Sequence, residues 1–209
     1  GACTGAVVGA VIYAAFFLAG LAVLGAALLL TIVASRVRHD ALADGHLQDD
    51  DETRGAANIV ANCLVGTLAG AASLAGLIGP SLTALWFVAA ITAGASDTVS
   101  SELGRAFGGT PRAFPTWKSV PLGTPGAISA IGTAAGVAAS GVIALPAAAL
   151  WLISWRGVIV VAIASAAGSF IESALATRFE SRGLLDNNAV NLLNTTSSAV
   201  VATLLAGLA

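Results

Sequence analysis

Formal charge is absent from five long runs of the chain, residues 1–35, 55–96, 119–155, 157–171 and 187–209. Those runs hold 152 of the 209 residues, and the other 57 carry every Asp, Glu, Lys and Arg. A bilayer core takes about 20 apolar residues per helical span. The pattern therefore predicts an all-α polytopic transmembrane bundle of about six spans, not a water-soluble domain. The first apolar stretch, 5–34, would be ~45 Å long as one helix, against a hydrocarbon core of ~30 Å. It predicts either a tilted helix or a half-length helix followed by a span, with the break near Gly20. The second span covers 55–79, where Gly79-Pro80 is a turn signal. The third covers 81–103, the fourth 124–150 with Pro146 near its end, the fifth 157–177 and the sixth 187–208. Polar loops lie at 35–54, 104–123 and 178–186.

Six spans place those three loops on one side of the membrane. The loops hold Arg36, Arg38, Arg54, Arg105, Arg112, Lys118, Arg178 and Arg182, and the opposite side holds Arg156. Eight against one is a positive-inside bias, so the loops are expected in the cytoplasm, in the plasma or inner membrane of a prokaryote. The chain reads as a single integral membrane domain over 1–209. It contains no Met, so membrane segments upstream of Gly1 are expected. A cleavable signal peptide is not, since no basic region precedes the first apolar run. Gly1/Gly5/Gly9, Gly66/Gly70 and Gly132/Gly136 have the small-xxx-small spacing that lets helices approach closely. A net charge of −2 leaves no basic footprint and excludes a nucleic-acid partner. Cys3 and Cys63 lie in apolar runs without metal-type spacing and read as small helix residues. Trp86, Trp117, Trp151 and Trp155 fit interfacial aromatic belts.

Ionisable residues inside a membrane are expensive and are the first candidates for function. Asp97 lies ~24 Å along the third span, with Glu102 just beyond, and Glu172 sits at a similar depth in the fifth. Asp186, Asn187, Asn188, Asn191 and Asn194 open the sixth, and Asn58 and Asn62 lie near the start of the second. All fall at the end of their helix that faces the loops, so four helices bring carboxylates or amides to one layer. Asp97, Glu102, Glu172 and Asp186 are hard oxygen donors suited to Mg²⁺, which takes one or two carboxylates plus substrate phosphates. The amides of Asn58, Asn62, Asn187, Asn188 and Asn191 could orient carboxylates or contact phosphate and nucleotide. Lys118 precedes Pro121-Leu-Gly-Thr-Pro-Gly126, and the turn with Gly123, Thr124 and Gly126 before an apolar helix offers N–H groups to a phosphate. It is not the GxxxxGK[ST] sequence of a P-loop. Arg178, Glu180 and Arg182 read as snorkelling interface residues. The Gln-Asp-Asp-Asp-Glu run at 48–52 reads as a solvated loop, with His39 and His46 as surface histidines beside it. The sequon Asn194-Thr-Thr196 is discounted because it lies inside a span.

Five short segments in order carry a family resemblance: Arg54-Gly-Ala-Ala-Asn-Ile-Val-Ala-Asn62, Ala95-Ser-Asp-Thr-Val-Ser-Ser-Glu-Leu-Gly104, Lys118-Ser-Val-Pro-Leu-Gly-Thr-Pro-Gly-Ala-Ile-Ser129, Gly168-Ser-Phe-Ile-Glu-Ser173 and Asp186-Asn-Asn-Ala-Val-Asn191. They resemble the successive motifs of the transmembrane protein 19 / phytyl-phosphate kinase family. The resemblance implies an integral-membrane kinase for a prenyl monophosphate, with CTP favoured as donor by analogy with related phytol and dolichol kinases. It places Asp97 and Glu102 in a DTxxSE motif, Lys118 in K-x-x-P-x-G-T, Glu172 in the fifth span and Asp186, Asn187, Asn188 and Asn191 in the last motif. The chain departs at Val99, Ala127 and Glu172, where the family more often has a large residue, Gly and Asp.

The expected function is therefore phosphoryl transfer from a nucleoside triphosphate to an isoprenoid monophosphate such as phytyl or geranylgeranyl phosphate, with Mg²⁺ held by some of Asp97, Glu102, Glu172 and Asp186. Lys118, with Arg54, would bind phosphate. The alternative is a secondary transporter or channel with a cytoplasmic-side polar site. A lipid phosphatase that needs no nucleotide is a further competitor. The sequence sets no oligomeric state.

Overall fold

The computed structural model describes residues 2–43 and 56–207. Among the described residues six helices are long and apolar enough to cross a membrane, and the fold is the expected all-α polytopic bundle. They are α1 (Ala2–Ala43), α2 (Ala56–Leu74), α3 (Pro80–Phe107), α4 (Ala130–Ala149), α5 (Trp155–Arg178) and α6 (Asn187–Gly207). Between α3 and α4 lie three two-residue strands, β1 (Arg112–Ala113), β2 (Lys118–Ser119) and β3 (Ala127–Ile128). They pair antiparallel in the order β2-β1-β3, with Arg112 opposite both Ser119 and Ile128. A 3₁₀ turn at Glu180–Arg182 follows α5.

The third helix is the axis. Its apolar window is 78% buried, against 22–39% for the other five, and it packs against every one of them. Its sequence makes this possible. Ala84, Ala89, Ala90, Ala93, Gly94, Ala95 and Ser96 are buried on different sides of the helix, and short side chains admit neighbours all round.

Small residues set the other contacts. A Cβ on Gly66 would lie 3.0 Å from Ile91 Cδ1, and one on Gly70 3.3 Å from Ile12 Cδ1. A Cβ on Gly132 would lie 2.6 Å from the Ser100 carbonyl oxygen, and one on Gly136 3.0 Å from Ser100 Cβ. These two pairs are therefore helix contacts, as their spacing predicts. The third series differs, because Gly5 and Gly9 have nothing within 4 Å. Gly132→Ala should consequently destabilise the protein by about 1–3 kcal/mol through overpacking, while Gly25→Ala, at a site open to 4 Å, should be neutral or stabilising in thermal unfolding. Equal midpoints for the two would remove the packing argument.

The first helix is broken, three residues before the expected Gly20. Phe17 has φ 50° and ψ −142°. A Cβ on Gly20 would come within 2.7 Å of Ile12 Cγ2 and 2.9 Å of Phe16 Cβ. Residues eight apart in a straight helix lie ~12 Å apart along the axis, so the chain bends sharply here. Phe17 makes the bend, and Gly20 permits the close approach behind it. Phe16 stacks on Phe87 of α3 with ring centroids 4.7 Å apart, which fixes the bend to the axis.

The fourth span begins later than its apolar pattern suggests, at Ala130 and not at 124. Gly123 and Gly126 have φ of 83° and 73°, a left-handed backbone that a helix cannot continue. Helix α4 starts where Ser129 Oγ accepts the Gly132 N–H at 3.1 Å, an N-cap. The third helix correspondingly runs to Phe107, past the expected 103. Trp151 and Trp155 are exposed at the α4–α5 turn, and Trp86 Nε1 donates to Thr203 Oγ1 at 2.6 Å. Trp117 lies on the loop at the opposite end.

Candidate functional site

Because successive helices reverse direction, the C-terminal ends of α1, α3 and α5 meet the N-terminal ends of α2, α4 and α6. At that end lies a cleft of about 270 Å³. Asp97 and Ser100 line it from α3, Thr133 from α4, Glu172 and Ser173 from α5, and Asn187 from α6. The 123–126 turn of the loop closes one side.

The carboxyl groups of Asp97 and Glu172 face each other, and Glu180 adds its charge from the 3₁₀ turn. Glu172 is 7% exposed. Behind it stands Asn194 of α6, 1% exposed, which faces the same carboxyl. Glu172 Oε2 and Asn194 Nδ2 are both buried without a hydrogen-bond partner. Like charges that face each other away from water repel more strongly than in bulk solvent. A divalent cation between Asp97 and Glu172 would offset that repulsion. The donor chemistry fits Mg²⁺, since both groups are hard oxygens and the cleft leaves room for phosphates. No cluster of three His, Cys, Asp or Glu is present among the described residues.

Positive potential reaches the same cleft. Arg105 lines the cleft, as do Ser129 and Thr133 at the N-terminus of α4 and Asn187 at the N-terminus of α6. The N-terminus of α4 carries a positive dipole end and favours an anion, whereas that of α6 is already capped by the Asp186 carboxylate. The loop that roofs the cleft is seated on α5. Phe114 packs on Phe170 at 5.2 Å between centroids, and Thr177 Oγ1 donates to the Pro125 carbonyl at 3.5 Å. Gly126 lies directly against that helix, where a Cβ would collide with Thr177 Oγ1 and the Ser173 carbonyl.

Of the residues singled out in the sequence, Asp97, Glu172, Gly123, Thr124, Gly126 and Asn187 come together here. The others lie elsewhere. Glu102 is buried but pairs with Arg38 at 3.2 Å and accepts from Ser35 Oγ at 3.2 Å, tying the end of α1 to α3. Asp186 is exposed and its Oδ1 accepts the Ala189 N–H at 2.7 Å, so it caps α6. Lys118 is exposed on β2. Asn62 Nδ2 donates to the Asn58 carbonyl at 3.0 Å and to its Oδ1 at 3.3 Å, and packs against Gly94. Asn188 and Asn191 sit on α6 away from the cleft lining. Arg54, His46 and the acidic run at 48–52 lie outside the described residues. Arg105, Ser100 and Thr133 line the cleft without having been singled out as candidate site residues, and Asn194, noted among the amides of the sixth span, stands behind it. Asn194 carries a signal, an amide deep in an apolar run, whereas Arg105 looks like any loop-side cation.

These features define a polytopic membrane protein with a carboxylate-bearing cleft at one end of its helices. The chain belongs to the family described as integral membrane protein DUF92, whose model matches residues 1–199. It is 34% identical over 154 residues to the uncharacterized membrane protein sll0875 of Synechocystis, covering 71% of this chain and 58% of that one. The uncharacterized membrane protein MJ0933 of Methanocaldococcus jannaschii is 31% identical over 159 residues, 75% of this chain and 64% of its own. Protein VTE6, chloroplastic, of Arabidopsis thaliana is 31% identical over 169 residues, 78% of this chain and 51% of its own. The chain thus spans about half to two-thirds of the length of these relatives. No solved structure matches it.

Proposed function

We propose that the protein is a membrane kinase that transfers a phosphoryl group from a nucleoside triphosphate, CTP by analogy, to an isoprenoid monophosphate such as phytyl or geranylgeranyl phosphate. The observation that carries this reading is the facing pair Asp97 and Glu172, set beside Arg105 and the N-terminus of α4. The likeness to VTE6 supports it. The cleft lies on the loop side, whose excess of Arg and Lys favours the cytoplasm of a prokaryote, where a lipid phosphate meets a soluble nucleotide.

In this reading an oxygen of the acceptor phosphate attacks the terminal phosphorus of the donor. The bond to the donor's bridging oxygen breaks, and the nucleoside diphosphate leaves. The attacking oxygen is already anionic, so no strong base is needed, and catalysis rests on positioning and charge neutralisation. Asp97 and Glu172 would hold Mg²⁺, which when bound neutralises phosphate charge. Arg105 and the α4 N-terminus orient the lipid phosphate. Lys118, on the outer edge of the loop, meets the nucleotide from the aqueous side.

The test is transfer of labelled phosphate with purified protein, Mg²⁺, a panel of nucleotides and phytyl or geranylgeranyl phosphate. A diphosphate product is expected, and CTP should be the preferred donor. Failure with every nucleotide, together with nucleotide-free flux of substrate in proteoliposomes, would replace the kinase by a transporter. Arg105→Ala should raise KM for the lipid phosphate about tenfold, the loss of one charged hydrogen bond. Lys118→Ala should raise KM for the nucleotide instead. A reversed pattern in steady-state kinetics would exchange the two roles.

A further inference from the structure

Deep in the bundle, behind the cleft, Asn194 poses a separate question. It is fully enclosed in an apolar helix and does not line the cleft. An amide so placed is expensive unless its hydrogen bonds are met. Its Oδ1 is met, because Ser198 Oγ donates to it at 3.5 Å. The opposite helix leaves space for the pair only because residue 168 is glycine. A Cβ there would collide with Ser198 Oγ and lie 2.6 Å from Asn194 Oδ1. With Oδ1 turned to Ser198 and Gly168, Nδ2 is the remaining half of the amide, a donor without a partner. Across from it is an acceptor without a partner, Glu172 Oε2, one helical turn beyond Gly168 on α5.

We infer that Asn194 is a positioning residue for Glu172, with Ser198 and Gly168 fixing the amide so that its N–H₂ side is presented to the carboxylate. The inference rests on the reading of Asp97 and Glu172 as a cation-binding pair. A ligating carboxylate needs an outer partner to hold its orientation, and loss of such partners typically weakens metal binding about 10- to 100-fold. Asn194 thus acts on the cation through Glu172 and touches no substrate.

The experiment titrates Mn²⁺, a spectroscopic substitute for Mg²⁺, into the purified full chain in detergent and follows free Mn²⁺ by electron paramagnetic resonance. Asn194→Leu should weaken binding about tenfold or more, shift the metal dependence of transfer to match, and leave KM for the lipid phosphate unchanged. Asn194→Ala, small and compatible with an Ala-rich helix, should do the same and serves if the Leu variant fails to fold. Mn²⁺ affinity equal to wild type in a folded variant overturns the inference. If wild-type protein binds Mn²⁺ and Asn194→Ala weakens it, but no nucleotide supports transfer, the positioning role stands and the kinase reading falls. If Glu172→Gln also leaves Mn²⁺ affinity unchanged, the cation pair itself is wrong and the inference falls with it.

Discussion

Protein carrying Asp97→Asn or Glu172→Gln should fold, insert into membranes and lose phosphoryl transfer by about 100- to 1000-fold, the usual effect of removing one preorganised charge-stabilising group. Both changes keep size and shape, and both remove one carboxyl group from the facing pair. Loss of a buried ionisable group should leave the folded protein no less stable than wild type in thermal unfolding. The double variant should be little worse than either single one, since the two act as a unit on one cation. Glu102→Gln should behave differently. It removes the ion pair between Arg38 and Glu102 that ties α1 to α3, so its loss should appear in stability before activity. Retained transfer in Asp97→Asn, or a Glu102 variant that loses activity at full stability, would relocate the site.

The second large effect is expected at Gly126. Gly126→Ala meets two obstacles, a φ of +73° and a collision with Thr177 Oγ1 and the Ser173 carbonyl. Gly109→Ala meets only the first, with φ +65° and nothing within 4 Å. The left-handed backbone alone is worth about 1–2 kcal/mol. The collision should add about 1–3 kcal/mol and, more importantly, lift the loop from α5. Gly126→Ala should therefore lose transfer at least tenfold more than Gly109→Ala, while both insert and purify normally. Equal activity would show that the seat of this loop has no bearing on the cleft.

The spans were legible because the bilayer imposes its thickness on the sequence, so runs without charge map onto helices. The loop between α3 and α4 was not, because strands of two residues have no period to detect and the apolar residues after Gly123 read as the start of a helix. Only Gly126 at positive φ and the cap at Ser129 place the true start of α4. Asp97 and Glu172 were legible as charges within apolar helices. Glu102 and Asp186 look the same in one dimension, and what separates them lies elsewhere. Arg38, from a segment 64 residues earlier, claims Glu102, and the backbone of its own helix claims Asp186. The role of Asn194 depends on a glycine on another helix, so its spacing within α6 could not reveal it.

The burial of α3 has a consequence for how the cleft can open. A helix enclosed by five neighbours has no free face on which to slide or roll, so Asp97 is carried on the stator of the assembly. The large exposed apolar side chains lie on the outer helices instead, among them Leu68 of α2, Val142 of α4, Ile159 of α5 and Val200 of α6. Any displacement that admits a ligand is therefore expected in the pieces around α3, with Asp97 as the fixed point of reference.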